Sequence, residues 1–576
     1  MKAKYILGMF AVVGAAVSLT SCDDFLNDNR YPMSQQTVNA EFWNNSVNVE
    51  NQINYFYEDY SGYGNGSGGG DFYWSWLSDD QSGRTAFADW TFKTVPPTSG
   101  SWNAPYTEIR RANLVIQGVE GSTLTDSQKA NYIGQARLYR ARGYYDLVRR
   151  YGDVPLVLTP LDPNDDAALF GPRTPRNQVM DQVLEDLDFA VANIARKSGK
   201  TVFSRDMAQA FKAEVCLTEG TYAKYHQKDN ARAKKFLEEA VKAGEAIADS
   251  YKPGTDIKSY QALYQSFQNA GGGFNGLSAN SEVIMYKPYE DGVFMNSITD
   301  YSNASDGVAG ITRDAFDAFL FTDGKPAAST SLDNTDHGVP EAAGVSIANL
   351  LSVRDKRLSV ITYDHIFFQG MAWGAVNTVG QWSSTGYGVA KFNNLTVPQA
   401  IANEINKQYI CAPLYWGARL YVTILEAKAE LGTLQQGDLD KYMAPLFRRA
   451  GISTDNLTVA GLNAINDPAN NMNVSSLIWE IRRLRRCELM MDDGLRYWDL
   501  VRWHQLDKLD FSVNPKITQG AYCANAPISC AAGDIDGYVN CTWGQNRKFE
   551  EKYYLYPIPS GQIQLNPALE QQPLWK

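Results

Sequence analysis

The sequence predicts a mainly α-helical protein: a TPR-like scaffold of helical hairpins with long irregular loops and a few short strands. Three observations predict it. Apolar residues recur at three- and four-residue steps in several long blocks. Four of those blocks come as two adjacent helix pairs with alanine at close-packing positions, near the ~34-residue length of tetratricopeptide-type repeats. Between the pairs lie long stretches of Gly, Asn, Pro and aromatic residues that do not read as helix.

The chain starts with Lys2 and Lys4, then runs uncharged and mostly apolar from Tyr5 to Leu19. This reads as the n- and h-regions of a secretory signal and is too short to span a bilayer as a helix. Leu19-Thr20-Ser21-Cys22 resembles a bacterial lipobox. That resemblance implies lipidation of the Cys22 thiol and cleavage just before it, so residues 1–21 read as a lipoprotein signal peptide. Two or more acyl chains on one residue give stable anchoring. Asp23 and Asp24 follow at once, which resembles a mark for surface export.

The body from Cys22 to Lys576 is long for one compact core. It divides into an N-terminal part with TPR-like helices (22–250), a loop-rich insertion on the ligand face (251–410) and a C-terminal region (411–576). Net charge is -11 for the full chain. That argues against nucleic acid, whose binding rests on clustered Lys and Arg. Cys216, Cys411 and Cys487 sit in helical stretches and read as buried thiols. Cys523, Cys530 and Cys541 cluster in a loop-like segment, where a disulfide is favoured over a metal site because neither His nor a CxxC pair is near. The acids in Gly533–Gly537 are too few to define a calcium cage. No cofactor is implied.

Helical blocks appear in order at "QARLYRARGYYDLVRRYG", "NQVMDQVLEDLDFAVANIA", the pair "DMAQAFKAEVCLTEGTYAKY" and "NARAKKFLEEAVKAGEAIA", and the pair "LYWGARLYVTILEAKAELG" and "LDKYMAPLFRRAG". The insertions hold the aromatic residues. The first carries a glycine run and Trp74, Trp76 and Trp90. A second carries Tyr286, Tyr289, Phe294 and Tyr301, and a third Trp373, Trp382 and Tyr387. Long loops of this kind are usually functional or disordered, and rich aromatic content argues against disorder. A flat apolar ring with a negative face suits the C–H face of a pyranose. Neighbouring Asn, Asp and Arg then satisfy the sugar hydroxyls, which are costly to leave dry and unpaired. Core packing beneath a loop is the competing role for each aromatic taken singly.

Three further stretches carry a family resemblance: "YRARGYYDLVRRYGDVPLV", "RRCELMMDDGLRYWDLVRW" and "YLYPIPSGQIQLNPALEQQPLW". With "SDDQ" and "WNAPYTEIRRAN", they resemble the SusD/RagB family of outer-membrane nutrient-binding lipoproteins, in the family's order. Asp492-Asp493 before Gly494 and the ending "QQPLW" depart from its pattern. The resemblance implies a TPR-like scaffold, no covalent chemistry, and capture of a glycan, or in some members a peptide. It also implies delivery to a SusC-like TonB-dependent outer-membrane transporter. Arg84, Trp90, Trp102 and Asn103 fall where such proteins place a stacking and hydrogen-bonding group. Tyr289, Tyr301, Trp373 and Trp382 would join them from the other two loops. In the C-terminal motif, helical spacing predicts a packing and ion-pair element in which Asp492 meets Arg496 and Arg496 meets Asp499. With 64 acidic residues, count alone leaves a surface glycoside hydrolase open as the alternative.

Overall fold

Capping residues set where the helices begin. In the computed structural model, which describes residues 40–65, 70, 77–83, 94–268, 276–303, 309–341, 344–366, 383–402, 404–522, 534–535, 537–541 and 547–576, helices dominate. The principal ones are α1 (Ser46–Asn54), α2 (Gly100–Glu120), α3 (Asp126–Tyr151), α4 (Arg176–Asn193), α5 (Arg205–Tyr222), α6 (Asn230–Ala248), α7 (Ile257–Gln265), α8 (Gly417–Leu431), α9 (Ser476–Glu488) and α10 (Leu495–Arg502). Thr125 and Gln128 form a capping box at the start of α3. Ser204, Asp229 and Ser475 cap α5, α6 and α9 by accepting from the backbone N–H three residues on. Gly432, at φ 71°, closes α8 in the left-handed conformation.

Helices adjacent in sequence pack on one another, α2 on α3, α3 on α4 and α5 on α6, and α8 packs across α6 and α9. The small residues read as close-packing positions do that work. At Gly244 of α6, an added Cβ would lie 2.6 Å from Ile424 of α8. The helical blocks expected from the sequence are present, save that Leu414, Tyr415 and Trp416 at the start of one of them lie in a strand (Ala412–Trp416) and its helix begins at Gly417. One run is divided. Leu484 to Val501 reads as a single helical stripe, but α9 ends at Glu488, and Met491 (φ 64°), Asp493 (φ 49°) and Gly494 (φ 60°) turn the chain before α10. Among the described residues, no helix is long and apolar enough to cross a membrane.

The strands are short: β1 (Gln81–Gly83), β2 (Val283–Lys287), β3 (Ala309–Ile311), β4 (Val339–Glu341), β5 (Gly344–Ser346), β6 (Thr362–Ile366), β7 (Tyr387–Val389), β8 (Ala412–Trp416), β9 (Gln519–Tyr522), β10 (Asp534–Ile535) and β11 (Tyr538–Asn540). They form four small antiparallel sheets: β1-β3, β2-β8, β4-β5-β6-β7 and β10-β11-β9. The main hydrophobic core is continuous. It joins Val115 and Leu147 of the N-terminal helices to Tyr260 and Ile361 of the middle region and to Leu420 and Leu484 beyond. A second core surrounds α10, with Trp498, Trp503, Leu506 and Tyr554.

Candidate functional site

The short stretch Ser78-Asp79-Asp80-Gln81 leads into β1 and is wholly buried. Two adjacent carboxylates in such a place need cations. Both come from the C-terminal motif. Arg496 of α10 grips Asp79 through two hydrogen bonds of 2.7 Å. Arg486 of α9 donates from Nε to Asp80 at 2.8 Å and from Nη1 to Asp314 at 2.7 Å. Arg547 donates to the Ser78 carbonyl at 3.0 Å. Burial pushes the Asp79 carboxyl up, but Arg486 and Arg496 more than reverse this and hold it below the usual carboxylate range. Burial dominates at Asp80, whose carboxyl is raised, with the Asp79 charge adding to the effect.

The ion pairs expected inside the motif are therefore replaced by distant ones. Arg496 meets neither Asp492 nor Asp499 but Asp79, and Asp492 instead receives Lys391 Nζ at 2.7 Å and the Tyr264 hydroxyl at 2.8 Å. Asp499 pairs with Arg485 and Arg502. The turn at residues 489–494 removes the i,i+4 geometry between Asp492 and Arg496; Arg496 and Asp499 keep helical spacing within α10, but Asp499 is taken by Arg485 and Arg502. The prediction of a packing and ion-pair element stands; its partners are different.

This cradle positions a seam of loop stems. The Ser384 hydroxyl donates to the Ser82 carbonyl of β1 and accepts from the Gly310 N–H of β3. The Ser384 carbonyl accepts from the Cys541 thiol at 3.0 Å. The Thr385 carbonyl accepts from the Ala521 N–H of β9 at 2.7 Å. The backbones come so close that a Cβ on Gly520 would lie 2.0 Å from the Thr385 carbonyl oxygen, and one on Gly310 2.1 Å from Thr385 Oγ1. Only glycine fits such approaches. Gly83, Ala309, Ser383, Tyr522 and Cys541 thus share one place, and Arg84 follows Gly83 directly while Trp382 immediately precedes Ser383.

Of the candidate binding residues, Trp74, Trp76, Arg84, Trp90, Trp373 and Trp382 lie outside the described residues, as does Cys22. Tyr301 belongs to the helical turn Ile298–Asn303. Asn103 is exposed in the first turn of α2. The structure corrects three others. Trp102 is 4 % exposed and packs between Tyr106 and Tyr151. Tyr387 is buried with its ring stacked on Phe316 at 4.2 Å. Tyr289 is buried against Phe294 and Tyr63, and its hydroxyl donates to the Gly64 carbonyl at 2.6 Å. Their role is support: Tyr387 underlies the seam, and Tyr289 holds the chain where the glycine run begins. The core-packing role weighed for loop aromatics wins at these three positions because each ring has an aromatic partner waiting in the scaffold.

Cys541 is a buried free thiol, so a disulfide in the C-terminal cluster does not use it. Burial pushes that thiol up to about 12. Cys523 and Cys530 lie outside the described residues, as do Gly533 and Asp536 of the acidic stretch once weighed for calcium. Cys216, Cys411 and Cys487 are buried free thiols as expected. Among the described residues, no group of three His, Cys, Asp or Glu side chains is arranged to hold a metal.

In this helical-hairpin scaffold, Arg486, Arg496 and Arg547 fix the stem that leads into β1. Comparison with known proteins gives the chain a family. Residues 207–575 match the model described as the SusD family, and residues 24–217 match the one described as starch-binding associating with outer membrane. The first match spans more than half the chain: this protein belongs to the SusD family. It is 37% identical over 115 residues to SusD-like protein P38 of Formosa agariphila, covering 20% of this chain and 22% of that one. The chain spans about a fifth of the length of the curated relatives it matches. Its fold is similar to that of a SusD-like carbohydrate-binding protein from Bacteroides fragilis (TM-score 0.67, 21% identity, 92% of this chain and 100% of that one). It is also similar to that of a laminarin-binding SusD-like protein (TM-score 0.52, 18% identity, 92% and 99%).

Proposed function

We propose that this chain is a glycan-binding lipoprotein of the outer membrane, facing the cell exterior and anchored through lipid on Cys22. It captures oligo- or polysaccharide without covalent chemistry and passes it to a SusC-like TonB-dependent transporter. The observation that carries this reading is the seam: the segments bearing Arg84, Trp90, Trp373 and Trp382 attach to one ion-paired frame in a SusD-family fold. An aromatic ring can stack on the apolar C–H face of a sugar ring, which is the role this reading gives Trp90, Trp373 and Trp382. The family description of starch binding and outer-membrane association supports it. So does the lipobox, since a tether raises the local concentration of the protein over a membrane partner.

The test is affinity electrophoresis of the mature protein through gels containing soluble starch, laminarin and other neutral polysaccharides. At least one is expected to retard the wild type, and Trp90→Ala, Trp373→Ala and Trp382→Ala to migrate faster. Unchanged retardation of all three variants would remove the loops from the site. New reducing ends during incubation would favour the hydrolase reading instead.

A further inference from the structure

A concavity lies at the end of the β6–β7 pair away from the seam. β6 pairs with β7 from Thr362↔Val389 to Ile366↔Tyr387, and the seam begins just before Tyr387. The groove sits at the Thr362 end, about 13 Å along the strand. It is open to solvent and holds about 640 Å³, within the range of small-molecule sites. Its walls are α7, the short helices Ala348–Ser352 and Lys356–Ile361, the start of β6 and residues 390–396.

The lining chemistry is selective. Fifteen residues line the groove, and Asp364 alone is a carboxylate or a cation. Eight carry a neutral amide or hydroxyl besides Tyr363. Leu351, Val360 and Leu395 supply apolar surface between them. Such a lining matches a neutral, polyhydroxylated ligand and offers little to an acidic one. The walls are also held in place. Asn394 Nδ2 donates to the Gln265 carbonyl at 2.8 Å and so ties residues 393–396 to α7. Its Oδ1 accepts from the N–H and hydroxyl of Thr396 at 2.9 and 2.7 Å. Asn393 Nδ2 donates to the Tyr363 hydroxyl at 2.7 Å, fixing that half-buried ring at the groove wall. A fixed ring costs less ordering on binding than a free one.

We propose that this groove is a second glycan-binding subsite for neutral sugars, with Tyr363 as stacking platform and Asn393, Gln261 and Thr396 as hydrogen-bonding partners. The proposal rests on the glycan-binding reading above and adds a site that the aromatic loops do not supply. A long chain engaged at both sites gains apparent affinity through the second, intramolecular contact.

The experiment is hydrogen–deuterium exchange of the mature protein with and without laminarin or soluble starch, alongside titration of three variants. Peptides covering 348–364 and 390–396 are expected to gain protection. Tyr363→Ala is expected to bind about tenfold more weakly, in line with the loss of one aromatic contact. Ser359→Trp, at an exposed rim position, is expected to block the groove while folding normally. Trp373→Ala should leave the protection of both peptides in place. Wild type that binds these glycans with both peptides unprotected, or Tyr363→Ala and Ser359→Trp that bind as wild type does, would overturn the subsite alone. Protection by polygalacturonate but by neither neutral glycan would overturn its ligand class. Wild type that binds none of them overturns both this proposal and the function it rests on.

Discussion

Replacing Arg496 by Met tests whether the arginine–carboxylate cradle holds the loop stems. Methionine keeps much of the volume but removes both hydrogen bonds to Asp79, where carboxylate and guanidinium are 2 % and 8 % exposed. Arg486 remains at 3.4 Å from Asp79, with the Arg547 guanidinium also within electrostatic reach. Breaking one side of a buried pair leaves the other charge uncompensated and costs about 3–5 kcal/mol. The cost should depend on pH. In the wild type the folded Asp79 pKa lies below its unfolded value, so its contribution is present above about pH 3.9 and lost as pH falls through the folded pKa. The variant lacks that contribution, so its deficit persists from pH 7 down to about pH 4 and shrinks only below that. Urea unfolding at pH 7 and pH 2 reads the global effect. Hydrogen exchange in residues 77–83 reads the local one, with openings expected to be over about 100-fold more frequent at pH 7. The double variant Asp79→Asn, Arg496→Met should be less damaged than the sum of its parts. A loss under about 1 kcal/mol at pH 7, or an equal loss at both pH values, would refute the cradle as an electrostatic device.

Two further outcomes follow from buried rings. Burial holds the His226 imidazole neutral, pushed down to about 3, with Nε2 2.6 Å from the Val501 carbonyl and Tyr222 stacked on its face. The unfolded chain binds this proton near pH 6.5, so stability falls as pH drops below that value, by about 2 kcal/mol at pH 5; His226→Gln should flatten urea-unfolding stability between pH 6.5 and pH 4, and an unchanged slope would show that other groups cause it. Trp102→Ala should cost about 3–5 kcal/mol in thermal or urea unfolding, because it empties a packed site between Tyr106 and Tyr151. Glycan affinity of the folded fraction should stay at the wild-type value, whereas a ligand-contact role would lower it.

The helices were legible because their signal is local. Apolar spacing, caps and small residues at contact points lie within a few turns of one another, and the blocks read from the sequence coincide with α3 to α6 and α8. The site was legible only by composition. A Trp in a loop and a Trp at the start of α2 look alike in sequence, and only the fold shows that Tyr106 and Tyr151 await the latter. Tyr289 and Tyr387 belong to the same case. The ion pairs were misassigned for the same reason. Helical spacing offers near partners for Arg496, but the three positive φ angles at 491, 493 and 494 break the spacing to Asp492, Asp499 is held by Arg485 and Arg502, and the guanidinium meets a partner 417 residues away. Both halves of that contact, "SDDQ" and the C-terminal arginines, stand out in the sequence. Nothing local joins them.

That distance explains why charge rather than apolar packing serves here. Loops built from separate parts of a chain share a face only if their stems keep register. An apolar contact tolerates a slip of one residue so long as surface stays buried. A two-pronged guanidinium does not, because it accepts a carboxylate in one orientation. Asp79 and Asp80 are adjacent, and each is held by a different arginine, Arg496 and Arg486. A one-residue slip would bring the uncharged Ser78 or Gln81 to one arginine and leave a carboxylate buried without its cation. The penalty for an unpaired buried charge is several kcal/mol, comparable to the stability of a whole domain. Register at β1 is thereby set to the single residue, and with it the point at which the chain leaves Gly83 for Arg84. Ser384 then carries that register to β3 through Ser82 and Gly310. A few buried ion pairs thus let segments far apart in sequence start from fixed positions.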